Sequence, residues 1–135
     1  MRDFRELVVW QKAHRLTLEV YRATRGFPVE ERLGLTAQLR RSAASVPTNL
    51  AEGCGREGER ELARFVSIAG GSASETEYHL LLAADLGYLD PEAHRDLAAR
   101  VNEVKKMLRS FHDKLTANGS SSARWNWRDT SGPSH

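Results

Sequence analysis

Five histidines and one cysteine are the residues of this chain best suited to acid–base, metal or nucleophilic chemistry. Their spacing decides which of these is open. A di-iron or di-manganese centre inside a helical bundle needs inward glutamates and Glu-x-x-His pairs, which set two ligands on one helix face. The residues three before His14, His79, His94 and His112 are Gln11, Thr76, Pro91 and Arg109, so none of these positions carries the motif. Glu75 and His79 are four apart and share a helix face, a spacing that serves a surface contact as readily as a ligand pair. Cys54 cannot form an internal disulfide, has no zinc-ligand spacing around it, and has no neighbouring histidine to activate an exposed thiol. Some helical-bundle ribonucleases pair an arginine with a downstream histidine; the nearest approach here, Arg128 and His135, falls in a C-terminal stretch ill suited to holding an active site. Neither a glycine-rich phosphate loop nor a Gly-x-Ser-x-Gly elbow occurs. The reading is of a noncatalytic protein, with no metal, no cofactor and no small-molecule substrate.

Three clusters suit binding instead. Arg40 and Arg41 precede the run Ser42-Ala43-Ala44-Ser45-Val46-Pro47 and the polar Asn49-x-x-Glu52. Their guanidinium forks match phosphate geometry, and they match equally well the acids of a neighbouring helix, with Glu52 a candidate partner. Lys105, Lys106, Arg109 and His112 form a second cluster, in which Lys105, Arg109 and His112 share a helical stripe without an acid between them. The third is Arg124-Trp125-Asn126-Trp127-Arg128, where Trp125 and Trp127 could stack on unpaired bases, plug a partner's groove or fold back on the protein itself.

The elements that must position these residues are all helical. Glycine and proline divide the chain into four amphipathic stretches. The first covers 8–24, with Trp10, Ala13, Thr17, Val20 and Tyr21 on one stripe, and ends at Gly26-Phe27-Pro28. A second begins near Glu30, presents Leu35, Leu39, Ser42, Val46 and Leu50, kinks without breaking at Pro47 and finishes at Gly53-Cys54-Gly55. A third covers 59–86, with Leu62, Phe65, Val66, Ala69, Ala73, Thr76, Leu80 and Ala83 along one seam; Gly70 and Gly71 in its middle imply the close approach of another backbone. The fourth covers 91–117, where Leu97, Val101, Val104, Leu108, Phe111 and Leu115 recur at heptad spacing, with Asp90 as N-cap. Residues 118–135, rich in serine and glycine, read as a flexible tail. The expected architecture is an all-α, antiparallel up-down four-helix bundle over 1–117.

A chain of 135 residues fits a single core. Apolar residues make up 40% and charged residues 28%, and no apolar run approaches the length of about 20 that a membrane span requires. Met1-Arg2-Asp3-Phe4-Arg5-Glu6 lacks the apolar stretch of a secretion signal, so the expected compartment is the cytoplasm. The formal charge of +2, from 20 Lys plus Arg against 18 Asp plus Glu, is too mild to attract nucleic acid in bulk, so such binding must come from local clusters.

Several motifs together resemble a known family. Phe4-Arg5-Glu6-Leu7-Val8-Val9-Trp10-Gln11-Lys12-Ala13, Phe27-Pro28 with Glu31-Arg32 and Leu35, and Gln38-Leu39-Arg40-Arg41 through Ser45-Val46-Pro47 to Asn49-Leu50-Ala51-Glu52-Gly53 carry the likeness. Phe65 to Ala69, Gly71-Ser72 to Glu75 and Leu86-Gly87-Tyr88-Leu89 extend it. The family is that of the four-helix-bundle proteins found inside intervening sequences of bacterial 23S ribosomal RNA genes. The resemblance implies a protomer that closes into a homopentameric ring, similar in fold to the accessory variability determinant of diversity-generating retroelements. Structured RNA and a reverse transcriptase are the partners it implies.

Overall fold

The computed structural model describes residues 2–117, so the expected tail, with Trp125 and Trp127, lies outside the described residues. Four helices carry the structure: α1 (Val8–Thr24), α2 (Leu35–Cys54), α3 (Glu59–Asp85) and α4 (Pro91–Ala117). Short links at 55–58 and 86–90 leave no room for crossovers, so successive helices run antiparallel. α2 packs on α3, α3 on α4 and α1 on both α2 and α4, while α2 and α4 are diagonal and do not touch. No strand occurs among the described residues. The expected four-helix bundle is the fold.

Burial follows the heptad spacing of α3 and α4. Leu62, Phe65, Val66, Ala69, Ala73, Thr76, Leu80 and Ala83 are all buried, as are Leu97, Val101, Val104, Leu108 and Leu115, with Phe111 half-buried at the edge. α1 is rotated from the expected stripe. Val9, Ala13, Leu16, Thr17 and Val20 face the core, whereas Tyr21 is 41% exposed. The tyrosine ring instead lies under the Arg40 guanidinium, 4.7 Å from its centroid. An amphipathic ring gains from staying at the boundary and leaves the centre to compact aliphatics.

The second helix starts later than the pattern suggested. Val29–Glu31 form one turn of 3₁₀ helix, and α2 proper begins at Leu35. Glu31 fixes this start: its carboxylate accepts the Leu35 N–H at 3.0 Å, an orphan donor of the first turn, and the Tyr88 hydroxyl at 2.9 Å. These bonds hold the Glu31 carboxyl below its ordinary pKa, the Leu35 amide contributing most.

Pro47 lies inside α2 and is buried, and the helix continues through it as expected. A proline there cannot donate to the carbonyl of Ala43, four residues earlier. The Thr17 hydroxyl of α1 reaches that carbonyl at 3.1 Å and the Ala13 carbonyl at 2.9 Å. A side chain of one helix thus meets the acceptor that proline leaves open in another. Of the small residues in the middle of α3, Ala69, Gly70 and Ala73 are buried and Ser72 meets Ser45 of α2 at 2.8 Å, whereas a Cβ built at Gly71 meets nothing within 4 Å. Contact is tight at Gly53 also, where a Cβ would stand 2.8 Å from Phe65 Cβ and 2.9 Å from Leu62 Cδ1.

Candidate functional site

The buried polar side chains gather between α2 and α3. Ser42 Oγ lies 3.2 Å from His79 Nδ1, and the Thr76 hydroxyl donates to Ser42 Oγ at 3.0 Å or to the Ser72 carbonyl at 2.8 Å. Ser45 and Ser72 hydroxyls meet at 2.8 Å, and Asn49 Nδ2 donates to Ser45 O and Oγ. Glu75 lies 4.0 Å from His79 Nε2. The Ser42 hydroxyl has one proton for His79 Nδ1 and the Leu39 carbonyl, each at 3.2 Å; where it goes to Leu39, Nδ1–H donates to Ser42 Oγ instead. Burial pushes the His79 pKa below 6.5, and Glu75 opposes that shift.

Serine, histidine and glutamate in succession are the residue types of acyl-transfer machinery. Here Ser42 is 3% and His79 6% exposed, so a substrate carbonyl has no route to the hydroxyl. The sequence forms a packed polar seam. Cys54, read as a conceivable exposed thiol, is 1% exposed, and burial raises its pKa, which disfavours the nucleophilic thiolate. Among the described residues no three His, Cys, Asp or Glu side chains converge where they could hold a metal ion.

The arginine pair divides. Arg40 Nε donates to Thr24 Oγ1 at 2.7 Å and its Nη2 to the Tyr21 carbonyl at 3.4 Å, so its charge answers the C-terminal end of α1. Arg41 is exposed and forms no ion pair among the described residues. Glu52 pairs with Arg56 at 2.9 Å, not with either member of the doublet.

The α4 cluster divides too, and here the expectation needs correction. Lys105 is 3% exposed and its ammonium meets Glu77 of α3 at 2.8 Å, while His112 is 2% exposed. The stripe shared by Lys105, Arg109 and His112 turns largely inward, and its acid comes from another helix. Within the protomer Lys105 offers no surface to phosphate. Lys106 is exposed and Arg109 half-buried at the surface, with the exposed Lys114 farther along the helix. These three cations line an open cleft of about 500 Å³ in which Asp113 is the single acid, and none of them forms an ion pair among the described residues. Arg41 and this cleft sit on diagonal helices, so one protomer does not unite them.

The family model described as 23S rRNA-intervening sequence protein matches residues 5–110. The chain belongs to this family. A crystal structure of a protein of unknown function from the S23 ribosomal protein family of Bacteroides thetaiotaomicron superimposes with a TM-score of 0.69 at 24% identity, covering 78% of this chain and 98% of that one. That likeness establishes the bundle and nothing further. No curated protein matches the chain. The match of the 23S rRNA-intervening sequence protein model reaches into α4 as far as 110, and so takes in Lys106 and Arg109 but not Lys114.

Lys114 was missed in the sequence. The missing signal was the outward stripe of α4, where Lys106, Arg109, Ser110, Asp113 and Lys114 recur at helical steps, three of the five cationic. No helix among the described residues is long and apolar enough to cross a membrane.

Proposed function

We propose that this member of the 23S rRNA-intervening sequence protein family is a noncatalytic, homo-oligomeric bundle that binds RNA. The observation that carries the reading is the cleft lined by Lys106, Arg109 and Lys114 against one acid, three cations gathered on one helix face. Three cations on one helix face suit a run of phosphates. Arg41 supplies a separate point of positive charge on the opposite side, and assembly of several copies would repeat both. Self-association has its own support: Ile68, Tyr78, Leu81 and Leu86, on and just past α3, are 40–57% exposed and offer apolar surface that a second copy could cover. The pentamer implied by the family resemblance is the stoichiometry to test.

Light scattering on the purified protein gives the number of 15.1 kDa chains in the particle, and RNA retention on the same sample is measured at about 50 and about 200 mM salt. An oligomer whose affinity for RNA falls about 20- to 40-fold over that interval, as three phosphate contacts per protomer require, supports the proposal. A monomer without RNA retention overturns it. An oligomer that holds no RNA at low salt would favour the alternative, a scaffold for a protein partner such as a reverse transcriptase, with Trp125 and Trp127 as the docking residues.

A further inference from the structure

The cationic cleft has an apolar neighbour. Beyond Ser110 and Lys114, which line both, a second cleft of about 300 Å³ opens between α4 and the start of α1, floored by Leu7, Val8, Met107 and Phe111. Val8 is 55% exposed, and Phe111 is half-buried with the Arg2 guanidinium 5.6 Å from its ring centroid. Apolar surface and cations without an ion pair among the described residues therefore meet along one edge. A duplex offers the cations its phosphates but keeps its bases stacked inside, where this surface cannot touch them. An unpaired nucleotide offers both parts at once, an anionic phosphate and an aromatic face.

We infer that the two clefts form a single site for single-stranded RNA, in which an unpaired base packs on the Val8, Met107 and Phe111 surface while its flanking phosphates lie on Lys106, Arg109 and Lys114. The inference rests on the RNA-binding reading and narrows it from nucleic acid in general to unpaired nucleotides. Charge complementarity and shape select this occupant. Asp113 alone opposes the phosphate, and an amphipathic protein helix would bring carboxylates to the cations but no flat face to the shallow apolar floor.

The test uses the full chain and fluorescence anisotropy with two labelled 12-mers of equal phosphate count, oligouridylate and an abasic ribose-phosphate strand. Expected is at least tenfold tighter binding of oligouridylate, since stacking adds to phosphate attraction. The Val8→Glu variant sets a carboxylate on the apolar floor at an exposed position, the first residue of α1, where an acidic side chain suits the helix N-terminus and the core is untouched, and should bring the two strands within about twofold of each other. Lys106→Gln with Arg109→Gln should weaken both strands alike and flatten the salt dependence. Equal binding of both strands to the unaltered protein would overturn the base contact while leaving RNA binding standing. A base preference that survives Val8→Glu would place the stacking elsewhere, on Trp125 or Trp127 for example, and overturn this site. Failure of both strands to bind at low salt would remove the site and the RNA-binding reading together.

Discussion

The seam between α2 and α3 and the seam between α1 and α4 solve the same packing problem in opposite ways. Along the first, Ser42, Ser45, Gly53, Ser72 and Thr76 let two backbones approach, and the hydroxyls brought inside satisfy one another. Along the second, Leu7, Val8, Met107 and Phe111 hold the helices apart over a cleft, bridged farther along by Lys12 and Glu103 at 3.3 Å. Small residues commit a surface to the protomer; large ones at the rim leave surface for something else to cover. The first seam is where substitutions should cost stability, and the second is where they should cost binding.

Gly53 gives the sharpest break of that comparison. A methyl group there meets Phe65 Cβ at 2.8 Å, an atom fixed to the backbone and unable to swing away, so Gly53→Ala should destabilise by about 1–3 kcal/mol despite alanine's better helix propensity. Gly71→Ala has open space around the new Cβ and should stabilise by about 0.5–1 kcal/mol. Urea unfolding at matched protein concentration reads both, and stabilisation by both would show that helix propensity governs these sites and packing does not.

The next effect tests the support for Pro47. Thr17→Val keeps the shape of the side chain but withdraws the donor that serves the Ala43 carbonyl, at an expected cost of about 1–2 kcal/mol. In a Pro47→Ala background the backbone N–H returns to that carbonyl, and Thr17→Val should cost much less. Unfolding of the two single variants and the double variant measures the coupling directly; additive costs would mean that Thr17 does not act through the Ala43 carbonyl.

Most of the fold was legible because it follows from repetition. The heptads of α3 and α4 name their own buried faces, and glycine, proline and Asp90 mark the breaks; the Asp90 carboxylate does accept the Ala93 N–H at 2.7 Å. What stayed hidden depends on pairs far apart in the chain. Lys105 reads as solvent-facing until Glu77 of another helix is known to meet it, and Glu31 reads as helix until its side chain is seen capping Leu35 and receiving Tyr88. The α1 stripe was misassigned because Trp10 and Tyr21 count as apolar by composition but prefer a boundary. The cationic half of the candidate site was partly readable, through Lys106 and Arg109. The apolar half was not, because Val8 and Phe111 are brought together only by the packing of the first helix on the last.

The smallest effect separates the seams by pH. His79 is neutral in the fold, with its pKa depressed below 6.5 by burial between α2 and α3, where Ser42 faces Nδ1 and Glu75 faces Nε2. A depressed histidine contributes stability that is fully present above the unfolded value. That contribution is lost as pH falls below 6.5 toward the folded value, because the unfolded chain takes up the proton first. Thermal unfolding followed from about pH 7.5 to about pH 5 should therefore show a decline that His79→Gln flattens, since glutamine fills the seam without titrating in this range. Val8→Glu, on the other seam, should leave the decline unchanged down to the range where carboxylates titrate. A His79→Gln profile parallel to that of the unaltered protein would show that His79 takes up its proton as readily in the fold as in the unfolded chain, and that the polar seam between α2 and α3, closed to substrate, is open to protons.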